Sequence, residues 1–223
     1  MIRSIFECLY QRQRGNRIDH TDPASSIRGI RMYPKRLLDI AASLFLVLLA
    51  GPLVPAAALA IFLESGRPIL FHQKRVGKDG VVFTLLKLRS MSENAEKNGA
   101  VWTERNDSRI TRVGKWLRLF RIDEIPQLWN VLKGEMSIVG PRPERPEFVK
   151  EFVKRTPSYA LRHKVKPGLT GWAQVNYPYG ASNRDAFIKL EYDLFYIKNM
   201  SLLLDLRILI KTIGVVVFHQ GAR

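Results

Sequence analysis

Cysteine and acidic residues are scarce in this chain of 223 residues. Its single cysteine, Cys8, cannot close an intramolecular disulfide, so a disulfide-stabilised scaffold is excluded. The four histidines are scattered, and the sequence has no Walker loop, no G-x-G-x-x-G fingerprint and no Cys/His metal-binding spacing. With 20 acidic against 36 basic residues, the net charge is +16. Such a charge predicts a polyanionic partner: nucleic acid, an anionic membrane face or a phosphorylated substrate.

Long uncharged stretches are also absent, with one exception from Ile40 to Leu63. A helix of that length would rise roughly 36 Å at about 1.5 Å per residue, enough to cross a hydrocarbon core of about 30 Å. Gly51-Pro52 at its centre predicts a break, because proline removes a backbone donor and clashes with the preceding turn. Basic residues flank the run on both sides, which favours a re-entrant helix with both ends at the cytoplasmic face. A single crossing is the alternative.

The apolar run divides the sequence into three predicted parts. Residues 1–34 are interpreted as a basic flexible leader, residues 35–63 as a re-entrant membrane anchor and residues 64–223 as a cytoplasmic catalytic domain. The N-terminus lacks the apolar core of a cleaved signal peptide, so the anchor is expected to be retained. A hydrophobic content of 46% excludes disorder throughout and allows one ordinary core.

Secondary-structure signals after the run predict an α+β fold that is mostly helical. Gly77-Lys78-Asp79-Gly80 between two apolar segments predicts a small β-hairpin. Lys87 and Arg89 would share one face of its second strand, about 6.6 Å apart, where they could bridge a diphosphate or merely face water. Helices are predicted over residues 92–98, 110–121, 124–133, 147–155, 183–198 and 201–218, two of which, 110–121 and 201–218, are amphipathic and fit a lipid interface or a solvated or packed face.

Asp123-Glu124 is the only pair of adjacent carboxylates in the chain. Pro126 is tolerated only in a first helical turn, so a helix is expected to begin near Asp123. Two neighbouring carboxylates repel, and keeping both ionised requires a metal ion or nearby arginines. Mg²⁺ with a phosphorylated substrate would meet that need. The alternative is a simple N-cap followed by a first-turn acid.

Two stiff loops follow the acidic pair. Gly140-Pro141-Arg142-Pro143 fixes the backbone on both sides of one arginine, as a bidentate phosphate clamp needs. Pro167-Gly168-Leu169-Thr170-Gly171 offers two glycines where the backbone could approach a ligand or form a structural turn. For either loop, a rigid connector is the alternative.

Several segments, taken in order from about Tyr33 to the C-terminus, resemble the bacterial sugar transferase family, the monotopic phosphoglycosyl transferases that act on a polyprenyl carrier. These segments are the residues 35–39 (KRLLD), the proline-broken run, 73–77 (QKRVG), 87–91 (KLRSM), 122–132 (IDEIPQLWNVL), 140–144 (GPRPE) and 167–171 (PGLTG). The family breaks its re-entrant helix at Ser-Pro, and Gly51-Pro52 stands at that place here. Larger relatives carry further transmembrane helices and a further domain, so this chain resembles the minimal catalytic form.

The resemblance implies an enzyme that transfers a phosphosugar from a UDP-sugar to polyprenyl (undecaprenyl) phosphate and releases UMP. Asp123 would be the nucleophile of a covalent intermediate, and Glu124 would assist it or hold Mg²⁺ with it. Arg118 and Arg142, and with less support Lys87 and Arg89, would bind substrate phosphates. The reaction would be the first membrane step of surface polysaccharide or glycoconjugate assembly, on the cytoplasmic face of the bacterial inner membrane. A homodimer is compatible with the resemblance.

Two alternatives remain at the level of sequence. One is a membrane-tethered module that binds anionic lipid or nucleic acid without catalysis, as the +16 charge alone would allow. The other is a two-substrate transferase that forms no covalent intermediate. The acidic pair among arginines beside a broken apolar anchor favours the covalent enzyme, with membrane lipids rather than nucleic acid as its partner.

Overall fold

The computed structural model describes residues 32–95, 99, 107–177, 180 and 182–218. Nearly all of the predicted leader lies outside these residues. The described part is mostly helical with a small antiparallel hairpin, as predicted. Its α-helices are α1 (Met32–Ala50), α2 (Leu53–Ser65), α3 (Arg112–Leu119), α4 (Gln127–Lys133), α5 (Pro146–Arg155), α6 (Trp172–Asn176), α7 (Asn183–Lys198) and α8 (Leu202–Val217).

Two separate two-stranded sheets accompany the helices. Strands β1 (Leu70–Val76) and β2 (Val82–Leu88) form the predicted antiparallel hairpin, in which Leu70 pairs with Leu88. Strands β3 (Ser137–Val139) and β4 (Gly168–Thr170) form a short parallel pair that the sequence patterns do not predict. The second pair joins the two stiff loops side by side.

The apolar run forms two helices that meet at an angle. Among the described residues no single helix is long and apolar enough to cross a bilayer, but α1 and α2 together meet that test and are bent by 58°. The Gly51 amide still donates to the Val47 carbonyl at 2.8 Å, and the next backbone bond runs from Val54 to Gly51 at 3.0 Å. The break therefore falls at Pro52, which has no N–H to donate.

The start of α1 and the end of α2 both form hydrogen bonds with the rest of the fold. At the start of α1, Arg36 donates to the carbonyls of Val131 and Leu132 at 2.6 and 2.7 Å, which satisfies the end of α4. Asp39 accepts hydrogen bonds from Ser137 and from the Ile138 amide. At the other end, Glu64 of α2 accepts from two amides at the start of α3. Large apolar side chains between the fastened ends are exposed: Leu44, Phe45, Val47, Leu48, Leu49, Leu53 and Leu59.

The main core lies beneath β2, α4, β3, α7 and α8, and Val131, Met136 and Ile208 are completely buried in it. A separate cluster joins Ile61 of α2 to Leu117 of α3. Helix α8 buries Leu204 and Ile208, whereas Leu203, Ile210 and four further large apolar residues, Leu202, Leu206, Ile213 and Val217, are exposed. Its amphipathic character is therefore confirmed.

Two predicted helices differ from the structure. Residues 93–95 form a turn, so no helix begins at Ser92, and residues 96–98 lie outside the described part. The helix expected near Asp123 begins instead at Gln127, after a 3₁₀ turn over Ile122–Glu124. The reason is Arg121, whose φ of 58° places it in the left-handed region and ends α3 before the turn.

Candidate active site

The acidic pair lies on the 3₁₀ turn between α3 and α4. Asp123 is 4% exposed and Glu124 is 9% exposed, so both carboxyl groups are removed from bulk water. Arg121, two residues before Asp123, has a left-handed backbone conformation that turns the chain sharply. A non-glycine residue in that region costs free energy, and such backbone strain is frequent at functional sites.

Cations surround Glu124. Arg142 donates a hydrogen bond to Glu124 Oε1, and Lys87 Nζ lies 3.6 Å from the same oxygen. Arg121 Nη1 lies 4.0 Å from Oε2. Burial opposes ionisation of Glu124, but Arg142, Lys87 and Arg121 together hold its pKa well below the ordinary range. Glu124 is therefore ionised and orients three cationic side chains.

The surroundings of Asp123 differ from those of Glu124. It accepts no hydrogen bond and forms no ion pair within the part of the chain that the structure describes. Burial and the negative charge of Glu124 raise the pKa of Asp123 to about 6, against the attraction of Lys87, Arg118 and Arg121. Its oxygens are available for another atom, and the group changes its charge near neutral pH.

Strand β2 and helix α3 supply the neighbouring cations. Lys87 projects from β2, and burial lowers its pKa while Glu124 acts in the opposite direction. Asn130 of α4 fixes this strand, because it accepts from the Leu86 amide at 3.1 Å and donates to the Thr84 carbonyl at 2.8 Å. Strand β2 is therefore fixed against α4, the helix that follows the acidic pair.

Arg118 belongs to α3. Its Nε donates to Ser90 Oγ at 2.9 Å, and its charge lowers the pKa of Asp123. It therefore faces the acidic pair from the other helix that borders the turn. The structure brings Asp123, Glu124, Lys87, Arg118 and Arg142 together, all residues singled out from the sequence.

The loop that carries Arg142 is fixed by two other arginines. Arg75 donates to the Pro143 carbonyl at 2.9 Å, and Arg162 donates to the Arg142 carbonyl at 2.9 Å. Arg162 in turn lies 2.7 Å from the buried carboxylate of Asp193 on α7. The backbone carbonyls of Arg142 and of the next residue are thus fixed, which positions the side chain that binds Glu124.

Arg89, the remaining predicted phosphate ligand, lies elsewhere. Its Nη2 donates to the carbonyls of Ser65 and Gly66 at the end of α2, each at 2.8 Å. These contacts stabilise the C-terminal end of α2. Although Lys87 and Arg89 are close in sequence, only Lys87 contacts the acidic pair.

The glycine-rich loop after Pro167 fills a structural role in this arrangement. A Cβ built on Gly168 would lie 2.1 Å from the Gly140 nitrogen, a distance that no side chain permits. Glycine is therefore needed so that β3 and β4 can approach and carry the Arg142 loop. The contacts therefore favour a structural turn for this loop over a site where the backbone approaches a ligand.

Besides Arg121 and Arg75, sequence reasoning missed three residues that support the site. Arg162 and Asp193 form the buried pair behind Arg142, and no pattern links residues so far apart. Gln127 is 2% exposed, and its Nε2 has no hydrogen-bond partner among the described residues. Gln127 lies one helical turn after Asp123, where a ligand could accept a hydrogen bond from its Nε2. The available sequence signal for this residue was its position in the segment 122–132.

The carboxylates fit a metal ion that takes most of its ligands from elsewhere. The described residues contain no cluster of three or more His, Cys, Asp or Glu side chains suited to a metal. Mg²⁺ commonly uses only one or two carboxylates, with phosphates and water as its other ligands. The unpaired, buried Asp123 beside Glu124 matches that smaller requirement, because a cation would offset the repulsion that raises the Asp123 pKa.

Comparison with known proteins places the chain in a family. The model for the bacterial sugar transferases matches residues 30–219. The chain is 45% identical over its full length to the UDP-N-acetylgalactosamine-undecaprenyl-phosphate N-acetylgalactosaminephosphotransferase of Aeromonas hydrophila, of which it covers 53%.

Two further relatives carry the names of glucose transferases. The undecaprenyl-phosphate glucose phosphotransferase of Komagataeibacter xylinus is 42% identical over 86% of the chain, which covers 37% of that protein. The UDP-glucose:undecaprenyl-phosphate glucose-1-phosphate transferase of Caulobacter vibrioides is 44% identical over 80% of the chain, which covers 68% of it. The chain thus spans about half the length of the Aeromonas relative. Because the family model matches most of its residues, the chain belongs to the bacterial sugar transferase family.

Proposed function

We propose that the protein is a phosphoglycosyl transferase that moves a sugar phosphate from a UDP-sugar to undecaprenyl phosphate and releases UMP. The observation that carries the proposal is the buried pair in which Glu124 holds the cations and Asp123 stays unpaired. The names of the relatives support undecaprenyl phosphate as acceptor and a UDP-sugar as donor. The product would be an undecaprenyl diphosphate sugar, the starting point of a surface polysaccharide or glycoconjugate.

The first step is nucleophilic attack by Asp123. A carboxylate oxygen of Asp123 bonds to the phosphorus that carries the sugar, and the bond from that phosphorus to the oxygen of UMP breaks. UMP leaves with its bonding electrons, and the phosphosugar remains on Asp123. An oxygen of undecaprenyl phosphate then attacks the same phosphorus and restores the Asp123 carboxylate. Splitting the transfer in this way replaces one difficult step with two easier ones.

The surrounding cations stabilise the charge that the reaction moves. Phosphoryl transfer depends mainly on positioning and electrostatics, since negative charge spreads over the phosphate oxygens in the transition state. Arg142 and Lys87 contact one Glu124 oxygen, and a substrate phosphate beside Asp123 would lie within reach of both. Arg118 approaches from α3. Nη2 of Arg89 is bound at the end of α2, and we assign this arginine no substrate contact.

Asp123 and Glu124 would hold Mg²⁺ together with oxygens of the substrate diphosphate. When bound, the ion would neutralise phosphate charge and the charge that develops on the departing UMP. The protein's own contribution is to keep Glu124 ionised through Arg142 and to leave the oxygens of Asp123 unpaired.

The lipid acceptor requires the site to lie beside a membrane, and the bent helix pair supports a re-entrant anchor. Both of its ends contact the rest of the fold, while exposed apolar residues extend along both helices from Leu37 to Leu63. A helix that crossed the bilayer would carry its far end away from the fold. The exposed aromatic pair of Trp116 on α3 and Phe120 just after it would lie in the interface, together with the apolar face of α8.

Release of UMP tests the activity. The chain, purified in detergent and supplied with Mg²⁺ and undecaprenyl phosphate, should release UMP from one or more of a panel of UDP-sugars, including UDP-N-acetylgalactosamine and UDP-glucose. Asp123→Asn should abolish release. Asp79→Asn is the matched control, since this aspartate lies in the exposed hairpin turn. Release by Asp123→Asn at the wild-type rate would exclude the proposed nucleophile.

A covalent intermediate distinguishes this mechanism from direct transfer. With UDP-sugar but no acceptor, intact-mass spectrometry should detect the chain with one added phosphosugar, and peptide mapping should locate it on Asp123. UMP formation only when the acceptor is present, with no adduct, would favour direct transfer between the two substrates.

Cysteine labelling tests the anchor. Cys8 is replaced by serine, and single cysteines are placed at Tyr33 and Val81, which are 89% and 68% exposed. An impermeant reagent should reach both positions only from the cytoplasmic side of membrane vesicles. Labelling from opposite sides would indicate a single crossing.

A further inference from the structure

A second cleft lies at the start of α1, apart from the acidic pair. Its volume is about 70 Å³, and its walls come from the first turns of α1, the hairpin turn, the segment 164–166 and the end of α7. Of the described residues that line it, none is a carboxylate of the candidate active site or the arginine that binds Glu124. The proposed reaction makes no use of this space.

Positive charge dominates the lining of the cleft. The cations are Lys35, Arg36, Lys78, Lys164 and Lys166. Asp39 is the one acidic side chain among the described lining residues. One of its oxygens accepts from the Ser137 hydroxyl at 2.8 Å and from the Ile138 amide at 2.9 Å. The acid thus serves mainly to attach α1 to β3.

Only part of this positive charge is balanced within the protein. Lys35 Nζ lies 2.7 Å from Asp205 Oδ2, and that pair is complete. Arg36 satisfies carbonyls at the end of α4, which carries only partial negative charge. Lys78 Nζ lies 3.9 Å from the exposed carboxylate of Asp79, a loose contact at the hairpin turn. No described carboxylate lies within ion-pair distance of Lys164 or Lys166. A net positive cleft remains.

Two of the cations converge on one point. A Cβ built on Gly134, at the end of α4, would lie 3.3 Å from Lys166 Nζ and 3.6 Å from Arg36 Nη2. Partial burial and the charge of Arg36 lower the pKa of Lys166. Arg36 donates hydrogen bonds to carbonyls at the end of α4, whereas Lys78 and Lys164 do not contact that helix end. An anion in the cleft would offset the repulsion that Arg36 and Lys78 exert on Lys166.

We propose that this cleft binds a phosphate group, and that an anionic phospholipid headgroup supplies it. Basic pockets beside membrane helices on the cytoplasmic side suit such headgroups. The lipid source rests on the proposed membrane attachment, because the first turns of α1, which line the cleft, continue into the exposed apolar stretch of that helix. Free inorganic phosphate shares the chemistry, and the test has a separate arm for it.

The test compares two double variants of the full chain in neutral detergent. Lys164→Gln/Lys166→Gln removes two cleft cations, whereas Lys150→Gln/Lys154→Gln removes two exposed lysines of α5. Native mass spectrometry measures retention of phosphatidylglycerol and of phosphatidylcholine. Thermal unfolding measures stabilisation by inorganic phosphate. Circular dichroism checks that both variants are folded.

The wild-type chain should retain phosphatidylglycerol in preference to phosphatidylcholine. The cleft variant should bind phosphatidylglycerol about five-fold more weakly for each lysine removed, and the α5 variant should match the wild type. Loss of phosphate stabilisation alone would support a phosphate site and reject the lipid source. Equal losses in both variants, or none, would overturn the proposal. Asp123→Asn should retain the lipid, so this proposal and the proposed catalysis fail separately.

Discussion

Arg162 and Asp193 form an ion pair of 2.7 Å in which both side chains are at least 95% buried. The pair lies directly behind the candidate active site, because Arg162 also donates to the carbonyl of Arg142. Burial raises the pKa of Asp193 to about 6, while the Arg162 charge acts against the rise. A pair in such surroundings is held by its geometry, and removing one partner leaves the other charge buried alone.

Arg162→Met should therefore destabilise the fold by about 3–5 kcal/mol, because Asp193 loses its counter-charge. Adding Asp193→Asn should recover part of that loss, which a double-mutant cycle on chemical unfolding measures. Arg155→Met is the matched control, since its ion pair with Glu151 is about half exposed and contributes at most about 0.5 kcal/mol. Additive effects of the two buried substitutions would contradict the coupling.

Arg142 should matter chiefly for the rate of transfer. Arg142→Gln removes a charge-stabilising donor, and kcat for UMP release should fall about 10²–10³-fold. Arg142→Lys should recover only part of the rate, because an ammonium group lacks the paired donors of the guanidinium. Arg145→Gln, in the same segment but paired with Glu147, serves as control. A rise in KM with unchanged kcat would limit Arg142 to substrate binding.

The two carboxylates should respond to pH with opposite signs. The pKa of Asp123 is about 6 in the fold against an ordinary value of 3.8, so its ionisation costs stability as pH rises through that interval. Asp123→Asn should therefore be more stable than the wild type above pH 6, by up to about 3 kcal/mol, and nearly equal to it below pH 4. Glu124, whose pKa is lowered, contributes stability above its unfolded pKa, so Glu124→Gln should be less stable at neutral pH.

Unfolding by urea at several pH values measures these differences. UMP release should rise with pH to a plateau, with a midpoint near 6, because attack requires ionised Asp123. A wild type more stable than Asp123→Asn at pH 7 would contradict the burial and repulsion assigned to this carboxyl group.

Local patterns were enough to predict much of the fold. The hairpin follows from Asp79-Gly80 between apolar segments, and α7 occupies Asn183–Lys198 as the apolar spacing predicts. The break at Gly51-Pro52 follows from the missing proline donor. Each of these features depends on neighbours within a few residues, and such information is present in the sequence itself.

Other features depend on contacts between distant segments. Strand β3 has three residues and gains its partner β4 only because Gly140 and Gly168 allow the close approach. The division of roles between the carboxylates, with Glu124 holding the cations, arises from the loop that Arg162 fixes. Arg89 illustrates the same limit: its spacing from Lys87 suits a phosphate, but its Nη2 is bound by the carbonyls at the end of α2.

Removing the break between α1 and α2 should increase the distance between the two helices. The hydrogen bonds of α1 continue to Gly51, whose amide donates to Val47, and Pro52 interrupts them. A Cβ on Gly51 would lie 2.2 Å from the Val47 carbonyl oxygen, so a side chain is incompatible with the bend as it stands. Gly51→Ala/Pro52→Ala removes both causes, and a continuous helix should replace the bend of 58°.

Spin labels on cysteines placed at Leu44 and Leu59, in a Cys8→Ser background, report the separation across the break; both positions are more than half exposed. The distance between the labels should lengthen in the double variant. Leu49→Ala/Leu53→Ala, which flanks the break without restoring a donor, should leave it unchanged. Because a straight helix cannot keep both fastened ends on the fold, Glu64 should lose its contacts with α3, and UMP release should fall. An unchanged distance would mean that contacts at the two ends, rather than Gly51 and Pro52, impose the bend.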